Sequence, residues 1–404
     1  MPGLTKPEKL IIDEVNKLNF KFTKEQKMLQ SAVQEYMKDK ITPVAAEYDQ
    51  KGAMSKKDAL KFLKGLIPFG YIGTLVPEKD GGPGLSHVEW GIIFKELRKA
   101  YGSLGGITGI TSSAITAIYN SENQILKKKC LPDLLKAKKI ACLAITEPDA
   151  GSDPSGMSTR AVLNKDHYII NGTKMWISNG TIADYVVLTA VIASDENEEG
   201  SIGQILVEKD VSPFKASEIH KIGVRSFPTS ELVFTDCKVP AENIVWPAGQ
   251  GFKHTQKSLT FARCNAAIAA VGIAEAALEA AIAHAKKRIQ FGKQIGKFQM
   301  VQQLIAEMAM EVDAAELLCF RALSLLDEGE LCRKESSMAK AYSSEMAVRV
   351  TSKALQIHGA YGLAEEYPLE RYFRDARCFT FLDGTTQIQQ LIIAREILGL
   401  SAIR

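Results

Sequence analysis

One carboxylate in the C-terminal part of the chain is placed to do chemistry. Asp383 follows the apolar run Cys378–Leu382 and is followed at once by Gly384, Thr385 and Thr386. Thr386 and Gln389 have capping-box spacing, so a helix is expected to start there and to turn Ile388, Leu391, Ile392 and Leu398 inward. A carboxylate between an apolar approach and a helix N-terminus is fixed in direction and loses part of its hydration, as a proton-abstracting base requires. The same residues equally describe an Asp-Gly turn closing a buried element. Other stretches have to decide between the two.

Three such stretches carry chemical potential. Ile145–Ser152 reads as a strand ending in a Gly/Ser/Asp turn, whose backbone N–H groups and hydroxyls could hold an anion; an ordinary β-turn is the plainer reading. In Trp176-Ile177-Ser178, alternation puts an aromatic plane and a hydroxyl on one face of a strand, which suits a flat heterocycle stacked on one and hydrogen-bonded to the other. Arg288 and Phe291 end an Ala-rich helix, where a cation and an aromatic could meet an adenine diphosphate, or the cation could simply complement the helix dipole. Lys95, on another helix, could meet an acidic group, with a solvated helix face as the plainer reading.

The composition excludes several other classes. With 50 basic against 47 acidic side chains in 404 residues, the net charge is only +3, and no nucleic-acid footprint or membrane-surface patch is expected. No apolar run looks close to the ~20 residues of a membrane span. The early mixture of Lys6, Glu8, Lys9, Asp13 and Glu14 resembles neither a signal nor a transit peptide. The seven cysteines are scattered without a C-x-x-C pair and the six histidines are unclustered, so no metal site is expected and a reducing, cytoplasmic location is.

The elements that must position these residues fall into blocks. Residues 1–22 read as a loosely held N-terminal extension. Residues 23–139 form a mostly helical domain, with helices expected at about 23–46, 56–67, 86–100 and 121–138 and a Gly/Ser/Thr-rich segment, Ser103–Ser113, between the last two. Residues 140–249 are rich in Val, Ile and Thr and read as an antiparallel β domain. There Asn171-Gly172 and Asn179-Gly180 are expected turns, and Glu196–Gly200 a solvated loop tip. Residues 250–404 return to helical spacing, with Phe261 near the start of an Ala-rich helix and four long helices suggesting a bundle. The α, then β, then α order gives an α+β fold of three segregated domains.

Five stretches then converge: Ala144–Asp153, Asn171–Ser178, Arg288–Gly292, Gln356–Ala360 and Asp383–Thr385. In this order, on β, β, α, α and α segments, they make the chain resemble the acyl-CoA dehydrogenase family from about residue 22 to 400. The resemblance implies FAD as cofactor. It places Leu143, Ile145 and Thr146 at the pyrimidine side of the flavin, and Gly151 and Ser152 near the pyrophosphate and the entering acyl-CoA. It sets Trp176 by the isoalloxazine and Ser178, where many members have Thr, by N5. Arg288, Gln290, Phe291 and Gln299 would reach the FAD of a neighbouring protomer, with Gln356 and Gly359 from the next helix and Thr385 and Gln387 completing the cofactor site. Where the family usually has two consecutive glycines, this chain has Gly359-Ala360. Ser152, Phe261, Arg263 and Gly384 would contact the acyl-CoA, and Tyr361–Tyr367 and Ser103–Ser113 would line its pocket. A homo-oligomer, usually a dimer of dimers, and an electron-transfer flavoprotein as acceptor are further implications.

The resemblance makes Asp383 the base that takes the Cα proton while the Cβ hydride passes to the flavin. Family members usually have Glu there, and Ala262 removes the alternative position at which some carry it. A base displaced by about 1 Å can cost on the order of 100-fold in rate. Three explanations are open: a bulky α-branched or alicyclic acyl group such as cyclohexane-1-carboxyl-CoA that sits closer, nitroalkane-oxidase-like chemistry with an Asp base, or a non-redox member that only binds acyl-CoA. The first is favoured. The low net charge argues against the DNA-associated members of this fold.

Overall fold

The computed structural model describes residues 21–194 and 197–402. The N-terminal extension up to residue 20 and part of the expected 196–200 loop tip lie outside the described residues. Helix α1 (Lys24–Tyr36) is opened by Thr23, whose hydroxyl accepts the Gln26 N–H while the Gln26 side chain returns to the Thr23 N–H. One helix to Ala46 is expected, but the path passes through a π turn (Met37–Ile41) and a 3-10 turn (Thr42–Val44) before α2 (Ala45–Lys51). Pro43, which has no N–H and clashes with the preceding turn, accounts for the break. Helix α3 (Lys56–Leu66) and helix α4 (His87–Ala100) follow.

The Gly/Ser/Thr-rich segment differs from expectation. It is helix α5 (Gly102–Asn120), almost wholly buried. Glycine lowers helix propensity, but here close packing overrides it. A Cβ at Gly106 would lie 2.8 Å from the Phe227 ring, and one at Gly109 2.9 Å from the Asn265 amide. Helix α6 (Gln124–Leu135) closes the first domain, capped by Asn123.

The middle domain is one sheet of eight strands: β1 (Ala141–Ala144), β2 (Arg160–Asn164), β3 (His167–Ser178), β4 (Tyr185–Ser194), β5 (Asn197–Glu208), β6 (Lys215–Glu218), β7 (Thr229–Pro240) and β8 (Ile244–Trp246). Most pairings are antiparallel, but β4 takes β1 and β2 in parallel along one edge. The long connections that parallel pairing needs are supplied by the β2–β3 hairpin between β1 and β4 and by β3 between β2 and β4. Asn171-Gly172 is not a turn. It lies inside β3 at a register shift against β7, with Gly172 at φ +148°, so the pair marks a bulge. The β2–β3 turn is made instead by Lys165 and Asp166.

The last domain contains α7 (Gly251–Lys287), a short β9–β10 hairpin (Ile289–Gln290, Lys293–Gln294), α8 (Gln299–Asp327), α9 (Arg333–His358), α10 (Leu369–Cys378) and α11 (Thr386–Leu398). Helix α9 packs on all four of the other helices, and α4 of the first domain packs on α7 and α8. The two helical domains therefore share one hydrophobic core, while the sheet holds a second. Helix α7 starts ten residues before Phe261, and an 18-residue window of it reaches the mean hydropathy of a membrane-crossing helix. That window is 72% buried within the protein, as the central helix of a core would be.

Candidate active site

Asp383 sits in the loop between α10 and α11. The apolar run before it is the end of α10 and the turns that follow, and the loop is closed at its neck by Thr386 N–H donating to the Thr380 carbonyl at 2.9 Å. The helix cap is Thr385, one residue earlier than the capping-box spacing indicates: its hydroxyl accepts the Ile388 N–H at 3.2 Å. Thr386 instead donates to Glu345 at 2.6 Å. Gln389 turns inward and donates to the carbonyls of Asp383 (3.1 Å) and Gly384 (3.0 Å). Both residues of the turn are left-handed, Asp383 at φ +53° and Gly384 at +94°. Asp is one of the few non-glycine types that tolerates that region.

The charges of three cations act on the carboxyl: Lys340 from α9, Arg263 from α7 and Arg98 from α4. Burial pushes Asp383 up to about 6 against the pull of all three. Burial likewise lowers Lys340 to about 8, opposed by the charges of Asp383 and Glu345. Arg98 is buried and anchored by the Gly102 carbonyl at 2.8 Å. The Arg263 Nε is buried without a partner among the described residues. Phe261, expected beside the substrate, is half-buried and packs its ring on Trp90 (4.6 Å) and His87 (5.4 Å). Lys95 is neither solvated nor free, being buried between Glu275 (3.0 Å) and Glu316 (2.7 Å).

The second group lies on the sheet. The Met175 N–H donates to the Thr146 carbonyl at 2.9 Å, so the 145–152 segment runs beside Trp176. Underneath, the fully buried Lys174 ammonium donates to the Ile145 carbonyl and to Glu147, both at 2.8 Å. Burial alone would raise the Glu147 carboxyl, but Lys174, Thr159 and Ser158 hold it down at about 2. Strict alternation fails between Lys174 and Ile177: a bulge puts Trp176 at φ +63° and leaves its indole 58% exposed. Among the described residues, the hydroxyls of Thr146, Ser152 and Ser178 have no protein partner. Leu143 is partly buried in β1, and Gly151 stands at an open position. An exposed indole on a strand paired with the Thr146 segment, with unpartnered hydroxyls on both stretches, fits a flat, polar-edged ring system.

The third group is at the other end of α7. Arg288 lies over the Tyr361 ring at 5.3 Å, and His284 stacks on His358 at 4.2 Å, which brings the helix end to the segment holding Gln356 and Gly359. Gly359 has φ +60°, so the first position of the Gly359-Ala360 pair is the one that requires glycine. Gln290 and Gln299 are exposed, and Phe291 is 93% exposed. Arg288 is 25 residues beyond Arg263 on a straight α-helical path, or ~38 Å away. Gln387 is exposed on the first turn of α11.

Three family profiles match the chain in succession: "Acyl-CoA dehydrogenase, N-terminal domain" over residues 23–138, "middle domain" over 142–237 and "C-terminal domain" over 249–398. The chain belongs to the acyl-CoA dehydrogenase family. It is thus an FAD-dependent oxidoreductase of acyl-CoA thioesters, with the family's helical, β and helical domains. A probable acyl-CoA dehydrogenase of Bacillus subtilis, YngJ, is 37% identical over 94% of this chain and 100% of its own length. The caffeyl-CoA reductase–Etf complex subunit CarC of Acetobacterium woodii is 34% identical over 93% of this chain and 99% of its own. An acyl-CoA dehydrogenase complexed with FAD from Bacillus anthracis superposes with a TM-score of 0.87 at 30% identity, covering 94% of this chain and 67% of that one.

Arg98, Lys340 and the inward role of Gln389 are the parts of Asp383's surroundings that sequence reasoning missed. A signal existed for Lys340, a lysine among Ser336, Ser337, Ala339, Ser343 and Ser344, whose small side chains mark the buried side of α9.

Proposed function

We propose that the protein dehydrogenates a branched or alicyclic acyl-CoA thioester between Cα and Cβ, with Asp383 as the base. The observation that carries this reading is the environment of that carboxyl. It is partly buried, raised to about 6 and fixed on a left-handed turn, so it is ionised at neutral pH yet basic enough to take a proton. Bound FAD supplies the acceptor for the hydride that leaves Cβ. Trp176, Thr146, Ser152 and Ser178 would hold the flavin and its pyrophosphate, with Leu143, Ile145, Gly151, Thr385 and Gln387 around it. The Asp383 N–H, with no protein partner among the described residues, would bind the thioester oxygen, where negative charge builds as the Cα proton departs. Arg263 faces both base and substrate, and Gly384 lets the thioester approach the backbone.

The ~38 Å between Arg263 and Arg288 argues that Arg288, Gln290, Phe291, Gln299, Gln356 and Gly359 serve the cofactor of a second protomer. A dimer of dimers in the cytoplasm, delivering electrons to an electron-transfer flavoprotein, completes the proposal. One methylene less than Glu favours a substrate whose Cα is brought closer by its bulk.

The test is anaerobic titration of the flavin absorbance with linear, branched and cyclic CoA thioesters. Branched or cyclic thioesters should bleach it fastest, Asp383→Ala should abolish bleaching, and Asp383→Glu should speed the linear ones. Intact turnover in Asp383→Ala removes the base assignment. Peroxide formed from a nitroalkane in air, without bleaching by any thioester, would instead mark an oxidase.

A further inference from the structure

The base turn is held from behind by two side chains. Lys340, fully buried on α9, donates to the Gly384 carbonyl at 2.6 Å. Gln389, fully buried on α11, gives its amide Nε2 to both the Asp383 and the Gly384 carbonyls. Its Oε1 is buried without a partner among the described residues, which by itself is destabilising. The opposite amide orientation would set that oxygen against two carbonyl oxygens, so the network dictates which way the group points.

The consequence for the backbone follows from peptide geometry. A trans peptide sets its N–H opposite its C=O, and the described residues contain no cis bond. With the carbonyls of Asp383 and Gly384 drawn inward, the N–H groups of Gly384 and Thr385 point away from Lys340 and Gln389. Consecutive left-handed residues persist only where the surroundings over-determine them. Glycine at 384 is matched to this arrangement twice, by its φ of +94° and because a Cβ there would lie 2.6 Å from the Gln389 Nε2.

We propose that Lys340 and Gln389 are positioning residues, a two-point lock that holds the Asp383-Gly384 backbone so that the carboxyl and its neighbouring N–H groups keep one orientation toward the acyl-CoA. The proposal rests on the dehydrogenase reading above for its effect on rate, but not for the lock itself. Lys340 has a second influence that Gln389 lacks. The titratable groups whose charges act on Asp383 are Lys340, Arg263 and Arg98, and those acting on Lys340 are Asp383, Glu345, Arg263 and Cys378. Loss of the Lys340 charge therefore moves the pH at which the base ionises upward, whereas loss of the neutral Gln389 amide does not.

The experiment compares FAD-loaded wild type with Gln389→Met and Lys340→Met, which keep side-chain length, and with Lys340→Arg, which keeps the charge. Hydrogen exchange by mass spectrometry reads the loop and neck, residues 380–389. Single-turnover flavin reduction reads rate and thioester Kd across pH. Both Met variants should speed exchange in that segment by about tenfold, with the rest of α9 and α11 unchanged. Flavin reduction should slow by ~10–100-fold while Kd moves less than about threefold. The ascending pH limb should rise in Lys340→Met only, and Lys340→Arg should return it toward wild type. Wild-type exchange in the segment, or loosening spread over both helices, overturns the lock. If the segment loosens but wild-type flavin is reduced by no CoA thioester, the lock stands and the dehydrogenase reading fails. If wild type is reduced and both Met variants match its rate, the positioning role fails and the dehydrogenase reading stands.

Discussion

Replacing Asp383 with Asn should stabilise the protein at alkaline pH while abolishing its activity. The carboxyl's ordinary value is 3.8 and burial raises it to about 6. Between these values the folded protein binds more protons than the unfolded chain, so stability falls as pH rises through that window, and the full penalty is present above it. A difference of ~2 units corresponds to ~3 kcal/mol, an upper bound because the residue is partly open to water. At an unfolding entropy of ~2 cal/mol/K per residue over 404 residues, that is a Tm rise of ~4 °C or less. Asn mimics the protonated acid, so the gain should be present at pH 8 and vanish near pH 4. Calorimetry of both FAD-loaded proteins at one scan rate, from pH 4.5 to 8.5, reads this group together with the cations coupled to it, because groups remote from Asp383 cancel in the difference. The opposing effect is that Arg98, Arg263 and Lys340 lose their shared anion. An Asp383→Asn protein less stable than wild type at pH 8 would show that the cations outweigh desolvation, and the derivation would fail.

Flavin reduction by a saturating thioester should rise through pH about 6 as Asp383 loses its proton, and bend near 8 where Lys340 loses its own; a profile flat from pH 5 to 9 contradicts this. Lys174→Met strands the buried Glu147 carboxylate, so it should cost ~3–5 kcal/mol and lower flavin content, read by calorimetry and absorbance. Gly384→Ala meets both a left-handed φ and the Gln389 amide, so ~1–3 kcal/mol of strain and slower flavin reduction should follow. Arg288→Ala with Phe291→Ala should weaken FAD retention and shift light scattering toward smaller species, leaving the pH midpoint of the base unchanged.

The order of helical, β and helical blocks was legible because hydrophobic period and β-branched composition change sharply at their borders. Within blocks, the misreadings share a cause. Helix α5 looks like a loop because glycine signals flexibility locally, whereas here it admits Phe227 and Asn265 from elsewhere in the chain. Asn171-Gly172 carries the letters of a turn, but β7 pairs across it and turns it into a bulge. At the candidate site, Asp383 was named from its own stretch and Arg263 from the resemblance, and in the structure the charge of each acts on the other. Arg98, Lys340 and Gln389 come from three other helices, so only tertiary packing reveals that they converge. Lys95 was misplaced for the same reason, since Glu275 and Glu316 lie far from it in the chain.

Helix α7 is a 37-residue rod, ~55 Å long, with Arg263 toward one end, Glu275 in its middle and a cap at Arg288. Each residue advances the spiral by 100°, so one deletion inside it would swing one terminal arginine away from its partner whichever end stayed fixed. Substitutions can accumulate along such a rod, but changes of length cannot, and its residue count should be among the least variable measurements when related chains are laid side by side.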